Sequence, residues 1–137
     1  INDISKISKS NTVATLLPGT GFFLGKEQAN ARALLDEGAK VSIASDYNPG
    51  SCAIQSMPLI MFLSNLYCNL SLDLSFKACT YNAAKALKID KIGLIKKGFK
   101  ADLLIWNLES LENIPYTFDN SEKYILDIIK NGNRISL

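Results

Sequence analysis

Two short strand-like segments constrain the fold of this chain most strongly. We interpret both, Thr12–Leu17 and Lys40–Ser45, as buried strands, and the charged, alanine-rich segment Glu27–Glu37 separates them. Buried strands of this kind are expected to be covered on both faces. Because a helix that connects two strands favours parallel pairing, this order predicts a parallel α/β fold, as in open sheets and β/α barrels.

Two further helices are predicted after the second strand. An apolar helix lies near Met57–Asn69, and an alanine-rich helix covers Ser75–Leu87. Their spacing is helical, and no strand-like alternation interrupts them. We therefore expect residues 1–88 to consist of β/α units.

The pattern changes to short β signals after Lys88. Ala101–Trp106 predicts a strand, with Asp102 as a turn residue and Trp106 packed within the subdomain. Tyr124–Ile129 and the Asn-Gly turn that follows it predict a pair of strands. We expect residues 89–137 to be a segment of a β-rich subdomain.

Charge, hydropathy and cysteine content limit the functions open to the chain. Its 137 residues carry a formal charge of +2, which is too small to favour nucleic acid as a partner. The longest apolar run, Met57–Leu63, is much shorter than the roughly 20 residues that cross a bilayer, so we expect no membrane partner. Cys52, Cys68 and Cys79 form no Cys-x-x-Cys pair, and we interpret them as reduced thiols of a cytoplasmic protein.

The chain contains no histidine. A Ser-His-Asp triad, a Cys-His pair, an imidazole base and a histidine-ligated zinc site therefore cannot be complete within these residues. Acid–base or metal chemistry would have to use carboxylates of this chain together with groups from elsewhere.

A glycine-rich segment, Gly19–Lys26, follows the first predicted strand. Its spacing does not fit a phosphate-binding loop, because five residues separate Gly19 from Gly25 and Glu27 stands where Ser or Thr would bind magnesium. Its third glycine also comes one place late for a dinucleotide-binding fingerprint. We predict a glycine-rich turn at the carboxyl end of a strand, close to a ligand.

The segment Ala44–Ser51 (ASDYNPGS) is the most informative part of the chain. Asp46 ends a predicted buried strand, and in parallel α/β proteins the active site lies at the carboxyl ends of the strands. Asn48, Gly50 and Ser51 follow with donors and acceptors, in a loop shaped by a Pro-Gly pair. Pattern alone leaves two interpretations open: an active-site acid, or an aspartate that caps a turn or the next helix.

Four blocks of the chain resemble a known family. Ala14–Leu24 (ATLLPGTGFFL) and Ile43–Ser51 (IASDYNPGS) resemble the C-terminal part of the imidazolonepropionase family of histidine degradation. Cys79–Ile89 and Ile92–Asn107 (IGLIKKGFKADLLIWN) resemble the wider metal-dependent amidohydrolase superfamily. The resemblance continues to the end of the chain, although Thr117 stands where the family often has His. It implies the last two β/α units of an incomplete TIM-like barrel, followed by strands of a small β subdomain.

The resemblance also implies a role for each residue of the Asp46 loop. Asp46 matches a metal ligand that handles the proton of the attacking water. Asn48 and Gly50 match positions that hold N-formimidoyl-L-glutamate, and Ser51 stands where a Thr often contacts 4-imidazolone-5-propanoate. The implied reaction opens the cyclic amide of this small-molecule substrate, with one zinc or iron ion in each complete active site.

The absence of histidine limits what the resemblance implies, because the family's other metal ligands are histidines on earlier strands. We therefore expect a C-terminal fragment that neither binds the metal tightly nor turns over substrate alone, and a homo-oligomer for the complete enzyme. Two alternatives stay open. One is another amidohydrolase, such as a deaminase of an aminated ring, and the other is a non-catalytic structural or binding fragment.

Overall fold

The computed structural model describes residues 2–135. Helices and two parallel strands form the first part, and an antiparallel sheet with two 3₁₀ helices follows. In this described part of the chain, no helix combines the length and the apolar character that a bilayer span requires. The elements are, in chain order, α1 (Asn2–Ser8), β1 (Val13–Leu16), α2 (Pro18–Phe23), α3 (Ala31–Asp36), β2 (Lys40–Ile43), α4 (Met57–Cys68), α5 (Leu72–Cys79), α6 (Tyr81–Ala86), β3 (Leu103–Trp106), the 3₁₀ helices Leu111–Thr117 and Ser121–Tyr124, β4 (Ile125–Lys130) and β5 (Asn133–Ile135).

Strands β1 and β2 pair in parallel, as the sequence predicts, with Leu16 opposite Ile43. Side chains alternate between the two faces of a strand, and these two residues share the face that packs into the buried core. On the opposite face, the hydroxyl oxygens of Thr15 and Ser42 lie 2.8 Å apart within hydrogen-bonding distance. Because Thr15 is exposed, the expectation that both faces are covered is wrong for β1.

Helix α4 packs against α2, α5, β2 and the first 3₁₀ helix. Its Ile60 is fully buried, and Ile114 of the 3₁₀ helix belongs to the same cluster. Trp106 of β3 also packs against this cluster, whereas the sequence predicted packing within the β subdomain. The chain after residue 89 therefore contributes to one core with the part before it, and the boundary between residues 1–88 and 89–137 stays a prediction. The buried apolar residues of the cluster are Leu16, Ala31, Leu34, Ala39, Val41, Ile43, Ile60, Met61, Cys68, Leu70, Ala78 and Ile114.

Helix α3 is shorter than the predicted segment Glu27–Glu37. It begins only at Ala31, because the side chain of Asn30 accepts a hydrogen bond from the backbone N–H of Ala33 at 3.1 Å and caps the helix there. At the other end, Gly38 follows the last turn with a φ of 81°, a left-handed conformation that is common for glycine at helix ends. The capping side chain therefore fixes where the helix starts.

The helix predicted over Ser75–Leu87 is in fact two helices, α5 and α6, which meet at Thr80. Thr80 has a φ of −117° and a ψ of −90°, outside helical values. The turn at Gly93 packs closely against this break, since a Cβ added to Gly93 would lie 2.8 Å from the Thr80 carbonyl oxygen. Helix α6 is tied to β2 by Asn82, whose Nδ2 donates to the Val41 carbonyl at 2.7 Å.

The C-terminal sheet is antiparallel with the order β3-β4-β5. The turn between β4 and β5 contains Asn131 and Gly132, whose φ values of 52° and 80° suit the type I′ turn that this pair predicts. Asp102, just before β3, accepts hydrogen bonds from the backbone N–H of Asn131 at 2.8 Å and from Lys130 Nζ at 2.9 Å. These two bonds lower the pKa of Asp102 from 3.8 to about 2, and the predicted turn residue thus anchors the hairpin.

We predict that Asp102→Asn makes the stability of the protein less dependent on acid pH. Because folding lowers the pKa of Asp102, its carboxylate contributes stability fully above 3.8, and this contribution is lost as the pH falls towards about 2. Urea unfolding should therefore show a lower midpoint for the variant at neutral pH and converging midpoints in acid. The exposed Asp119→Asn serves as the control, and a midpoint difference that persists undiminished in acid would contradict the prediction.

Candidate functional site

Asp46 follows the carboxyl end of β2, close to the start of α2. Because β1 and β2 are parallel, the residues that follow the two strands meet at the same edge. Asp46 is exposed and has a φ of 51°, a left-handed conformation that non-glycine residues seldom adopt. The predicted acid therefore lies where the segments after two neighbouring strands converge.

The Asp46 carboxylate bonds to a residue from the other strand's helix. Thr20 of α2 donates from Oγ1 to Asp46 Oδ2 at 2.8 Å. Among residues 2–135, Asp46 Oδ1 has no hydrogen-bond or ion-pair partner. The two carboxylate oxygens are thus in different environments, one bonded and one unbonded.

Helix α2 approaches the Asp46 loop closely at Gly19. A Cβ added there would lie 2.7 Å from Ile60 Cδ1 and 3.1 Å from Cys52 Sγ, so a larger residue would have to displace the ends of these side chains, and space rather than φ favours glycine. The helix begins with Pro18 in its first turn, where the missing N–H costs no hydrogen bond. The predicted glycine-rich turn is therefore wrong in form, because Pro18 and Gly19 open a helix, but the segment does lie at the strand's carboxyl end.

Asn48 organises the loop after Asp46. Its Oδ1 accepts from the backbone N–H groups of Gly50 at 2.9 Å and Ser51 at 2.8 Å. Its Nδ2 donates to the backbone carbonyl of Asp46 at 2.6 Å and to Ser51 Oγ at 3.0 Å. Cys52 closes the loop, since its backbone carbonyl accepts from the Asn48 N–H at 2.9 Å.

The structure thus brings together all four residues predicted for the site: Asp46, Asn48, Gly50 and Ser51. The side chains of Asp46 and Asn48 differ in what they bond to. Asn48 bonds within the loop and caps its turn, whereas the Asp46 carboxylate bonds to Thr20 of α2. That Asn48, Gly50 and Ser51 contact substrate stays a prediction.

Thr20 is the residue that sequence reasoning missed. Its signal was the glycine-rich segment after the first strand, which favoured a position near a ligand without singling out a side chain. A cleft of about 290 Å³ opens beside it, bounded by the end of β1, α2 and Gln28. Thr20 lines this cleft and also bonds to Asp46, which is not itself one of the residues that line it.

The donor set at this edge fits one position of a metal site. A carboxylate with an unbonded oxygen is a suitable ligand for zinc or iron, and Asp46 supplies one. Within the described range 2–135, however, no three Cys, Asp or Glu side chains form a group that could hold a metal ion. Since zinc takes about four ligands, the others would have to come from outside this chain.

The cysteines do not add ligands. Cys52 and Cys68 are buried, Cys79 is half-buried, and all three are free thiols, as predicted. Burial raises the pKa of Cys68 and raises the pKa of Cys79 to about 11, which keeps both protonated at neutral pH. The Cys52 thiol lies beneath the loop and donates to the Ser45 carbonyl at 3.2 Å.

The chain belongs to the amidohydrolase family, whose family model matches residues 1–135. Its curated relatives include the imidazolonepropionase of Staphylococcus saprophyticus, 45% identical over 136 residues, with 96% of this chain and 33% of that protein covered. The imidazolonepropionase of Kosmotoga olearia is 42% identical over 130 residues, which cover 94% of this chain and 32% of that protein. The predicted resemblance is therefore confirmed, and the chain spans about a third of the length of these relatives.

Solved structures agree on the fold. Helicobacter pylori aminofutalosine deaminase matches with a TM-score of 0.79 at 20% identity, over 98% of this chain and 35% of that chain. Atrazine chlorohydrolase from Arthrobacter aurescens, a structure complexed with zinc, matches with a TM-score of 0.73 at 18% identity, over 97% of this chain and 33% of that chain. At these identities the likeness shows the fold alone, namely that of part of an amidohydrolase.

We predict that Gly19→Ala destabilises the protein by about 1–3 kcal/mol, because the added methyl group overpacks the contact with Ile60 and Cys52. The matched control is Gly50→Ala, where the nearest atom, Asn48 Oδ1, would lie 3.4 Å from the new Cβ. The free energy of unfolding of both variants is measured by thermal or urea denaturation. Equal effects of the two substitutions would show that close packing at Gly19 does not hold α2 in place.

We predict that Asn48→Ala loosens the loop at Gly50 and Ser51, whereas Asn48→Asp preserves the bonds to these two N–H groups. Aspartate keeps an acceptor oxygen in the place of Oδ1 but loses the Nδ2 donor to the Asp46 carbonyl, and alanine loses both. Hydrogen exchange at those two amides should be at least about tenfold faster in the alanine variant, the effect of losing one good hydrogen bond. Similar exchange in both variants would mean that Asn48 does not order the loop.

Proposed function

We propose that this chain is the C-terminal portion of an imidazolonepropionase, which hydrolyses 4-imidazolone-5-propanoate to N-formimidoyl-L-glutamate. The observation that carries the proposal is the identity of 45% over 96% of the chain to a relative of that name. In this proposal β1 and β2, with the helices that follow them, are the last two units of a β/α barrel. Strands β3 to β5 belong to a small β subdomain.

The location of Asp46 supports this assignment. The barrel geometry places catalytic groups at the carboxyl ends of parallel strands, and Asp46 follows such an end next to a second one. Its Oδ1 has no partner among residues 2–135, and the side chain is exposed, so it is accessible to a ligand or to water. A carboxylate in this position can act as a ligand and as a proton acceptor.

The reaction breaks the cyclic amide C–N bond of the substrate. The oxygen of a water molecule bonds to the carbonyl carbon, and one proton of that water ends on the ring nitrogen that departs. We assign the transfer of this proton to Asp46, which accepts it from water and releases it to the nitrogen. A zinc or iron ion, when bound, polarises the carbonyl and lowers the pKa of the water, and Asp46 would be its one ligand from this chain.

Asn48, Gly50 and Ser51 would hold the substrate beside Asp46. The hydrogen bonds that Asn48 makes within the loop keep Gly50 and Ser51 in fixed positions relative to the Asp46 backbone. Fixed donors and acceptors lower the entropy lost when a polar substrate is oriented for attack. The remaining metal ligands and the groups that bind the propionate would come from beyond this chain, as would the contacts of a homo-oligomer.

We predict that Asp46→Asn, in the complete product of the reading frame, lowers turnover of 4-imidazolone-5-propanoate by about 10²–10⁴-fold, the usual contribution of a positioned acid or base. Metal content, measured by elemental analysis after desalting, should fall as well. Asp119→Asn, which changes another exposed aspartate, should leave both values unchanged.

Two outcomes would contradict the proposal. If the complete product hydrolyses an aminated ring but not imidazolone-propionate, the protein is a different amidohydrolase, and Asp46 keeps its role. If the complete reading frame begins near Ile1 and its product neither binds metal nor hydrolyses any ring substrate, a structural or binding role replaces the enzymatic one.

A further inference from the structure

We propose that Thr20 is a positioning residue for Asp46, which it orients through the hydrogen bond between their side chains. This inference rests on the proposed function, because Asp46 is the reacting acid in it. The glycine-rich segment after β1 then has a role, because it forms the helix that places Thr20 beside Asp46.

The contact joins the segments that follow two neighbouring strands. Thr20 and Asp46 are 26 residues apart in the chain, and the distance between Oγ1 and Oδ2 is 2.8 Å. A hydroxyl that donates to a carboxylate forms a charge-assisted hydrogen bond, which is stronger than one between neutral groups. Such a bond restrains rotation of the carboxylate about its last torsion, which is otherwise a broad, soft rotation.

The backbone on both sides of the bond is held independently. On one side, Gly19 allows α2 to pack directly against Ile60 and Cys52, where a Cβ would lie 2.7 Å from Ile60 Cδ1. On the other side, Asp46 holds a φ of 51°, and its carbonyl accepts from Asn48 Nδ2 at 2.6 Å. An uncommon backbone conformation persists only where the surroundings enforce it, and the bond from Asn48 to the Asp46 carbonyl contributes to this.

The bond makes the two oxygens of Asp46 unequal. Oδ2 is occupied by the Thr20 hydroxyl, and Oδ1 has no partner among the described residues 2–135. The unbonded oxygen is therefore the one presented to a metal ion or to water, in an orientation set before either arrives. Partners of this kind around metal ligands typically change metal affinity or activity by about 10–100-fold when they are removed.

The experiment compares Thr20→Val, Thr20→Ser and Thr80→Val in the complete protein. Valine keeps the shape of threonine without the hydroxyl, and serine keeps the hydroxyl. Thr80 is the matched control, because it is also half-buried and its hydroxyl also makes one short bond, to the Phe76 carbonyl at 2.7 Å. The measurements are kcat, KM, the zinc retained after dialysis against a chelator, and the thermal midpoint.

We expect Thr20→Val to lower kcat at least about tenfold and to lose zinc more readily, with KM changed by less than about twofold. Thr20→Ser should restore most of both values. Thr80→Val should leave kcat and zinc retention as in the wild type, whatever its effect on the thermal midpoint.

The proposal is overturned if Thr20→Val keeps wild-type kcat and zinc retention, or if Thr20→Ser fails as badly as valine. It is also overturned if Thr80→Val lowers the thermal midpoint and lowers kcat as much as Thr20→Val does. The loss of activity would then be an effect of general stability. Zinc retention separates this proposal from the proposed function. If the protein binds zinc through Asp46 but does not hydrolyse imidazolone-propionate, the Thr20 variants still test the positioning role.

Discussion

The parallel pairing of β1 and β2 is the constraint on which the rest of the structure depends. Its register sets Leu16 beside Ile43, so the chain leaves both strands at the same edge. Helix α2 follows β1 and the Asp46 loop follows β2, and the bond between Thr20 and Asp46 joins these two segments. A shift by one residue would turn the core face of either strand outward, and the apolar residues behind it prevent that shift.

Local sequence signals predicted the fold correctly where neighbouring residues determine the backbone conformation. The Asn131-Gly132 turn follows from two residues adjacent in the chain. The parallel strand pair joins residues far apart in the chain, but the order of strand, helix and strand predicts it. The break at Thr80 was not predictable, since threonine is tolerated in helices and the Gly93 turn that packs there comes later in the chain. The residues Cys79–Asn82 are weak helix formers, but such propensities do not by themselves place a break, and distant packing decided that boundary.

The candidate site shows the same division. Asp46, Asn48, Gly50 and Ser51 lie within six consecutive residues and were identified together from the pattern and the resemblance. Thr20 was not, because its link to Asp46 spans 26 residues and passes through the packing of α2 on α4. A side chain that acts only through another residue has no sequence motif of its own. The indirect signal here was Gly19, at a position where close packing favours glycine.

The hydrogen bonds of Asn48 determine how this loop could receive a substrate. A side-chain amide has two acceptor and two donor positions, and Asn48 uses all four within the loop. A ligand that bonds to Asn48 must therefore replace a present partner. The Ser51 hydroxyl is the one most easily replaced, because it can rotate away, whereas the backbone groups of Asp46, Gly50 and Ser51 cannot leave without unfolding the turn. A polar ligand group that takes the place of the Ser51 hydroxyl on Asn48 Nδ2 would also be within reach of that hydroxyl. Asn48 and Ser51 would then bind the ligand as a pair.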